Sequence, residues 1–202
     1  MPLIENTWTI LLLWAALGYL IGSVPFGVIV AKAMGLGNLR DIGSGNIGAT
    51  NVLRTGSKPA AAATLLLDGA KGALALLLAR NLSGEDAAQV AALAAMIGHC
   101  YPVWLKFQGG KGVATFLGIL LAIAWPVGLA TCAAWLIGAA LTRISSMGGL
   151  VAAGASSILV IVMGYGGAYL LCLALTLIVF WRHRANISRI RAGSEPKIGK
   201  KK

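Results

Sequence analysis

The chain has 202 residues, of which 58% are hydrophobic and 11% are charged, and its formal net charge is +11. A soluble domain of this length needs a far more charged surface, so the composition excludes an ordinary soluble protein. The long Ala- and Leu-rich runs exclude a transmembrane β-barrel, whose short strands alternate in polarity. The composition therefore predicts an all-α integral membrane protein with one domain, residues 1–202.

Seven apolar segments follow one another, and the breaks between them fall at polar or turn-forming residues. They are 8–31, 59–80, 87–105, 113–125, 127–142, 148–163 and 166–181. The last four are shorter than the roughly 20 residues that a full span needs. Because no Lys or Arg precedes the first segment, we expect a retained helix there rather than a secretory signal peptide.

The distribution of Lys and Arg favours seven transmembrane helices, with the N-terminus outside and the C-terminus in the cytoplasm. In that arrangement all but two of the 17 basic residues lie inside, the exceptions being Arg80 and Lys71. The basic tail, 182–202, is then cytoplasmic, as cytoplasmic segments of membrane proteins usually are basic. The polar segments near residues 44, 110 and 145 lie on the same face as the tail and can form one site.

The segment 43–54 is polar and rich in glycine, although it follows an apolar run. Its glycines let the backbone approach a ligand, its uncharged side chains supply donors, and its arginine supplies a planar fork of donors. These residues are Gly43, Ser44, Gly45, Asn46, Gly48, Thr50, Asn51 and Arg54. They are typical of a phosphate site at a membrane surface, and the alternative is a connecting loop.

A second glycine-rich segment, 109–115, is predicted to open a helix. Backbone N–H groups at a helix start attract anions, and a lysine adds a point charge. Its candidate residues are Gly109, Gly110, Lys111 and Gly112. The spacing is not that of a Walker A loop, so nucleotide hydrolysis is not predicted. A flexible loop with a topological lysine is the alternative.

Other polar residues lie within or beside the apolar segments. Asp68 and Lys71, three residues apart, could form a buried packing pair or contact a ligand. His99 could be an interfacial hydrogen-bonding group, whereas His183 lies one helical turn from Asn186, so both could face one ligand.

Two serines, one acidic residue and three cysteines remain. Ser145 and Ser146 are either helix caps or anion donors. Glu195 is the one acid in the basic tail, and we expect it to form a salt bridge that ties the tail back to a loop. Cys100, Cys132 and Cys172 have neither metal-ligand nor CxxC spacing, so buried free thiols and no metal site are predicted.

In order and spacing, these motifs resemble the bacterial acyl-phosphate:glycerol-3-phosphate acyltransferases, the PlsY family. The matching motifs are Gly22-Ser-Val-Pro-Phe26, the segment Ser44 to Arg54, Asp68-Gly-Ala-Lys71-Gly72, Gly98-His99, the segment Gly109 to Thr115, and His183-Arg-Ala-Asn186-Ile187. Together they span nearly the whole chain. Ile47 departs from the pattern, since proline is common there, and this alters only the stiffness of the loop.

The resemblance implies a multi-pass enzyme of the bacterial inner membrane with its active site facing the cytoplasm. It would transfer a fatty acyl group from acyl phosphate to the 1-hydroxyl of glycerol 3-phosphate, giving lysophosphatidic acid and phosphate. Its implied partners are these two substrates and the lipid bilayer, with no cofactor and no nucleic acid. An association with the soluble enzyme that makes acyl phosphate is left open.

The chemistry of that reaction suggests a role for each candidate residue. We expect Ser44, the 43–48 backbone and Lys111 to hold the acyl phosphate. The residues expected to hold glycerol 3-phosphate are Arg54, Ser145, Ser146, His183 and Asn186. Catalytic roles fall to Ser44, Arg54, Lys111 and His183, and either His183 or the substrate's own phosphate takes the hydroxyl proton. Asp68, Lys71, His99 and Glu195 are expected to be supporting.

Two rival functions are less consistent with the residues. Glycerolipid acyltransferases that use thioester donors have a His-x4-Asp pattern. This chain lacks it, because Val103 and Ile187 stand four residues after His99 and His183. An organophosphate transporter would show internal repeats and a site at the membrane midplane, whereas here no repeat is found and the polar motifs cluster at one face.

Overall fold

The computed structural model describes residues 2–199, and all regular structure in that range is helical. The helices are α1 (Trp8–Ser23), α2 (Phe26–Ala33), α3 (Ala49–Leu53), α4 (Lys58–Ser83), α5 (Glu85–Cys100), α6 (Val113–Ile123), α7 (Trp125–Thr142), α8 (Ser145–Val162), α9 (Tyr169–Arg182) and α10 (Arg184–Arg191). Short 3₁₀ turns occupy Leu39–Asp41, Val103–Leu105 and Gly166–Ala168. The all-α prediction is confirmed for this range, and residues 200–202 of the predicted tail lie outside it.

Five helical stretches of the described chain are long and apolar enough to cross a membrane. They are Trp8–Ala33, Lys58–Ser83, Glu85–Leu105, Trp125–Thr142 and Ser145–Val162. A sixth arises if Gly166–Arg182 and Arg184–Arg191, which are bent by 60°, count as one broken span. Helix α6 has only 11 residues, fewer than the ~17 that a spanning helix needs. The number seven therefore stays a prediction.

The first apolar segment is a candidate span, as predicted, but its helix is interrupted at Val24 and Pro25. Proline lacks an N–H group and disfavours helical conformation in the residue before it. The carbonyl oxygen of Val24 is instead bonded by the Lys71 ammonium, with an N–O distance of 2.8 Å. The helix is thus broken at a position where a buried cation satisfies the freed backbone group.

The Asp68–Lys71 pair predicted on one face of α4 is present. The Lys71 Nζ atom lies 2.8 Å from the Asp68 carboxylate, and both side chains are only 3% exposed. Because Lys71 also bonds the Val24 carbonyl on the neighbouring segment, the pair joins α4 to the break between α1 and α2. This arrangement favours the packing role over contact with a ligand.

Small residues bring the helices close together. A side chain at Gly18 or Gly22 of α1 would meet the backbone of Ala91 or Ala95 of α5, so these two helices pack with their backbones nearly in contact. Such small-residue stripes are typical of helix pairs in membranes. Large apolar side chains such as Leu66, with 70% of its surface exposed, lie on the outside. The outer surface therefore suits lipid rather than water.

Several predicted breaks agree with the structure. The break at residues 125–126 falls one residue earlier, because α7 begins at Trp125 with Pro126 in its first turn. A proline is well tolerated there, since the first N–H groups of a helix have no partner in any case. The three cysteines are free, as predicted, but Cys132 is half-buried rather than buried.

We predict that Lys71→Met destabilises the protein in detergent by about 3–5 kcal/mol, because it leaves the Asp68 carboxylate and the Val24 carbonyl without their cation. The matched control is Lys58→Met, at an exposed position at the start of the same helix, with an expected change within about 0.5 kcal/mol. Equilibrium unfolding of both purified variants checks this, and equal losses would contradict it.

Candidate active site

The side chain of Asn51 organises the first glycine-rich segment. Its Oδ1 atom accepts hydrogen bonds from the Ser44 backbone N–H at 3.1 Å and from the Ser44 hydroxyl at 3.3 Å. The same oxygen accepts from the Arg54 guanidinium at 3.3 Å, while Nδ2 donates to the Leu39 carbonyl at 2.9 Å. Asn51 is buried, so one fixed amide brings Ser44 and Arg54 together.

The glycines of this segment permit a close turn. Gly43 has a φ of +53°, and a Cβ atom there would lie 2.6 Å from Cδ of Arg54 and 2.8 Å from Oδ1 of Asn51. Only glycine fits that conformation and that space. Further along, Gly48 is the N-cap of α3, so the end of the predicted loop is helical. Asn46 bonds the N–H group of its neighbour Ile47 and supports the turn locally.

A second cluster surrounds Lys111. Its ammonium donates to Oδ1 of Asn186 at 2.5 Å, and the Asn186 amide donates to the Glu195 carboxylate at 2.5 Å. The same carboxylate accepts from the Ser146 hydroxyl at 2.7 Å and pairs with Arg189 at 2.6 Å. The sequence thus brings together residues from three distant segments at the ends of α6, α8 and α9.

Glu195 ties the tail back to the helices, though not quite as predicted. Its salt bridge is with Arg189, which belongs to the tail itself, and the hydrogen bond that it accepts from Ser146 makes the link to α8. Burial alone would raise the pKa of this carboxyl, but the bonds from Ser146, Asn186 and Arg189 outweigh burial and lower it. Glu195 is therefore a fixed negative charge among the cations.

Burial lowers the pKa of Lys111 to about 8. The Glu195 carboxylate opposes this change, whereas the positive charges of Arg189, Arg54 and Arg182 add to it. Arg54 belongs to the first glycine-rich segment and Lys111 to the second, while Arg182 and Arg189 belong to the C-terminal part of the chain. An anion that binds beside these cations would neutralise them and favour the charged form of Lys111.

His183 follows the last residue of α9 and is 2% exposed. Its Nδ1 atom lies 2.8 Å from the Val179 carbonyl, so we assign the ring hydrogen to Nδ1. Nε2 is then the acceptor, and it faces Gly149 of α8, where a Cβ atom would lie 3.6 Å away. Within residues 2–199, no side chain forms a hydrogen bond with Nε2.

The two clusters meet through α8. The hydroxyl groups of Thr50 and Ser145 lie 3.0 Å apart. Ser145 and Ser146 are the first residues of α8, whose N-cap is Ile144 and carries no side-chain cap. The helix-cap alternative for the two serines is therefore wrong, and their hydroxyls point toward the two clusters instead.

The remaining candidates lie beneath the site rather than in it. His99 is buried rather than interfacial, with Nδ1 3.7 Å from the Asp68 carboxylate and its ring against Gly110. The Thr115 hydroxyl bonds the Asp68 carbonyl at 2.9 Å, which fixes the start of α6 on α4. Gly112, with a φ of +84°, packs on Met96 and precedes α6.

Three arginines in the site were missed by the sequence reasoning, which used them only to orient the chain. Arg182 bonds the carbonyls of Gly109 and Gly110 at 3.0 Å each. Arg40 bonds the carbonyls of Gly45 and Gln108, and so bridges the two glycine-rich segments. Arg189 holds Glu195. The position of Arg182 directly before His183 was the one signal that could have pointed to it.

The fold and the site together define a class, a multi-pass helical membrane protein whose glycine-rich segments meet beside a cluster of cationic side chains. The family model described as glycerol-3-phosphate acyltransferase matches residues 12–193. A relative from Roseobacter denitrificans with that name is 66% identical, with 99% of this chain and all of the relative covered. One from Ruegeria pomeroyi is 65% identical, with 100% and 99% covered.

Two solved structures have the same fold. Both are crystal structures of PlsY, described as an integral membrane glycerol 3-phosphate acyltransferase, and each covers 94% of this chain. The glycerol 3-phosphate form is 35% identical with a TM-score of 0.88 over 96% of its own length. The lysophosphatidic acid form is 33% identical with a TM-score of 0.86 over 95%. The chain belongs to the PlsY family of membrane glycerol-3-phosphate acyltransferases, and the resemblance seen in its motifs is confirmed.

We predict that Gly43→Ala lowers kcat/KM by at least about tenfold, because its methyl group displaces the Arg54 side chain from Asn51. Gly37→Ala is the matched control, since Gly37 also has a positive φ (+74°) but has nothing within 4 Å of a Cβ atom. Both variants place a side chain at a positive φ, whereas only Gly43→Ala adds contacts with Arg54 and Asn51. Steady-state kinetics and thermal unfolding check this, and equal losses of activity would contradict it.

Proposed function

We propose that this acyltransferase moves a fatty acyl group from acyl phosphate to the 1-hydroxyl of glycerol 3-phosphate. The products are 1-acylglycerol 3-phosphate (lysophosphatidic acid) and phosphate, and the reaction begins phospholipid synthesis. The observation that carries this proposal is geometric. Arg40 bridges the two glycine-rich segments, and Lys111 of the second segment contacts the cluster of Asn186, Glu195 and Arg189. The forms of the two PlsY structures, one with glycerol 3-phosphate and one with lysophosphatidic acid, support the acceptor and the product.

The main physical obstacle to this reaction is repulsion between two phosphate groups. Ser44, the 43–48 backbone and Lys111 are proposed to hold the acyl phosphate. The side chains proposed to hold glycerol 3-phosphate are Arg54, Ser145, Ser146, His183 and Asn186. Because Lys111 contacts Asn186 directly, its ammonium lies where it can neutralise both anions. Fixed donors and charges of this kind lower a barrier by several kcal/mol.

In the proposed reaction, either Nε2 of His183 or the substrate's own phosphate accepts the hydroxyl proton as the acceptor oxygen attacks the acyl carbonyl carbon. The new ester C–O bond forms, and the bond between that carbon and the phosphate oxygen breaks. Phosphate leaves with the electron pair of that bond. The assigned tautomer leaves Nε2 of His183 as an acceptor. Burial lowers the pKa of this histidine to about 4, which makes it a weak base, and the substrate's own phosphate is the alternative proton acceptor.

Seven spans, with the N-terminus outside and a cytoplasmic site in the bacterial inner membrane, form part of the proposal. Four polar segments meet at one end of the helices. They are joined by the bonds Arg40–Gln108, Thr50–Ser145, Arg182–Gly109 and Ile198–Arg143. Each of the helix pairs α4/α5, α6/α7 and α8/α9 would therefore leave this end of the bundle and return to it.

The far end of the bundle supports a crossing by the short helix α6. Arg80, near the end of α4, donates a hydrogen bond to the carbonyl of Ala122, near the end of α6. Helix α6 thus reaches the level at which the long helix α4 ends. We propose that residues 1–202 form one transmembrane acyltransferase domain, and an association of its basic face with the soluble enzyme that makes acyl phosphate stays a prediction.

We predict that the purified protein in detergent releases phosphate from a long-chain acyl phosphate only when glycerol 3-phosphate is present, and forms lysophosphatidic acid. Acyl-CoA, tested as a rival donor, should be inert. Phosphate assays with mass spectrometry of the lipid product measure both results. Acyl transfer from acyl-CoA, with acyl phosphate inert, would contradict the proposed donor.

A substitution at Lys111 tests whether its charge compensates the repulsion between the two phosphates. We expect Lys111→Ala to lose roughly 100-fold or more of kcat/KM while its thermal unfolding stays close to that of the wild type, because the phosphate repulsion is no longer compensated. Activity within about tenfold of the wild type would contradict the proposed role of this lysine.

The pH dependence provides a separate prediction. The free enzyme loses the proton of Lys111 as the pH rises through about 8, so kcat/KM for glycerol 3-phosphate should fall above that pH. The substrate phosphate is already doubly ionised there, since its second pKa is about 6. Lys111→Arg should remove this alkaline decline, because arginine stays charged. Identical profiles for both proteins would contradict the assignment.

A further inference from the structure

We propose that Arg182 is a positioning residue that fixes the place of the Lys111 ammonium by holding the two peptide carbonyls that precede it. This inference rests on the proposed role of Lys111 and adds a requirement to it. The lysine must be aimed by a rigid backbone, and the rigidity comes from the end of α9.

The guanidinium group of Arg182 grips two successive carbonyls. Its Nε atom donates to Gly110 O and its Nη2 atom donates to Gly109 O, each at 3.0 Å. The guanidinium carbon also lies 4.9 Å from the centre of the Tyr101 ring, within the range of a cation–π contact. A planar fork that stacks on a ring while it bonds two acceptors has few other orientations.

The N–H groups of the same two glycines are also bonded. Gly109 donates to the Cys100 carbonyl and Gly110 donates to the His99 carbonyl, both at 3.1 Å. Both residues are buried, and the His99 ring fills the space where a side chain on Gly110 would lie. The backbone before Lys111 is therefore held on its N–H side by α5 and on its carbonyl side by Arg182.

A lysine ammonium needs such support because its flexible four-carbon side chain can place the group in many positions. Its compact point charge, unlike a planar guanidinium, does not fix an orientation. The last fixed carbonyl, that of Gly110, forms the peptide bond to Lys111. A shift of that peptide moves the origin of the Lys111 side chain directly. A misplacement of about 1 Å, even one caused away from the reacting atoms, can cost about 100-fold in rate.

Arg182 also connects this backbone to His183, which is proposed to hold glycerol 3-phosphate. It is the last residue of α9, and the next residue is His183. The same helix end therefore sets the position of Lys111 through the backbone and the position of the histidine through the chain. A change in the angle of α9 would therefore move Lys111 and His183 together and keep the distance between them.

The test uses Arg182→Gln, which keeps polar character but lacks both the charge and the guanidinium fork. We expect kcat/KM for glycerol 3-phosphate to fall by about 100-fold. Arg184→Gln is the matched control, because Arg184 is exposed and, within residues 2–199, forms its hydrogen bond and its cation–π contact with Trp181. It should stay within about twofold. Equal effects in the two variants would overturn the inference.

A double-mutant cycle separates positioning from general damage. If Arg182 acts through Lys111, then Arg182→Gln should cost less than about threefold in a Lys111→Ala background. A full additional loss there, with Lys111→Ala itself impaired, would overturn this inference and leave the proposed function intact. If Lys111→Ala is instead fully active, the proposed role of Lys111 fails, and this inference fails with it.

The pH profile gives a second readout that a purely structural role would not change. The positive charge of Arg182 lowers the pKa of Lys111, so its removal should shift the alkaline decline of kcat/KM to higher pH. The charges that face the ammonium from other segments, Glu195, Arg189 and Arg54, remain in this variant. An unchanged alkaline limb would oppose the inference.

Arg182→Lys keeps the test valid if the glutamine variant does not fold. It retains the charge but cannot bond both carbonyls with a planar fork. We expect a partial loss of kcat/KM, an alkaline limb at the wild-type pH, and a normal thermal unfolding transition. Wild-type kinetics in Arg182→Lys would show that the charge alone is enough and would overturn the positioning role.

Discussion

The site depends on the compensation of closely spaced positive charge. The positive charges of Arg189, Arg54 and Arg182 act on the Lys111 ammonium. At the edge of a membrane these cations repel one another unless an anion is present. The Glu195 carboxylate supplies that anion from the tail. It accepts from Ser146, Asn186 and Arg189 in fixed geometry, and Asn186 passes the connection on to Lys111. One acid thereby holds α8, α10 and the start of α6 in register.

The second support comes from the membrane interior. Lys71, which is paired with Asp68, donates to the Val24 carbonyl that the Pro25 break leaves free. His99 lies between this pair and the glycine segment that contains Gly110. A buried ion pair of this kind is weak evidence for stability, because desolvation offsets much of the attraction. Its value here is geometric, since it fixes α1, α2 and α4 beside α5, whose His99 carbonyl accepts a hydrogen bond from the Gly110 N–H.

Much of the fold followed from the sequence, because lipid imposes a strong local rule on every span. A run of apolar residues with a polar break predicts a helix with an end, and the break before Pro126 was placed within one residue. The Val24–Pro25 break was missed because the apolar run continues through it. Likewise, the helical conformation of residues 49–53 was hidden by a composition that is also typical of loops.

The candidate site was predicted as residues but not as contacts. Glycines, Lys111 and Arg54 can be recognised locally, since few membrane segments carry so many donors. The bonds from Arg182 to Gly109 and Gly110 join residues more than 70 positions apart, and no local pattern contains them. The basic tail already had a sufficient explanation in membrane orientation, and that explanation concealed the role of Arg182.

The contacts of Ser44 bear on the kind of chemistry that such a site can perform. A serine nucleophile needs a base within hydrogen-bonding reach, and the base needs a group that orients it. In the described chain, the Ser44 hydroxyl bonds an amide oxygen of Asn51, which is a poor base, and His183 is oriented by a backbone carbonyl rather than a carboxylate. These contacts are not those of a catalytic triad. An acyl phosphate suits this arrangement, because its leaving group is already activated and the enzyme has only to position two anions and remove one proton.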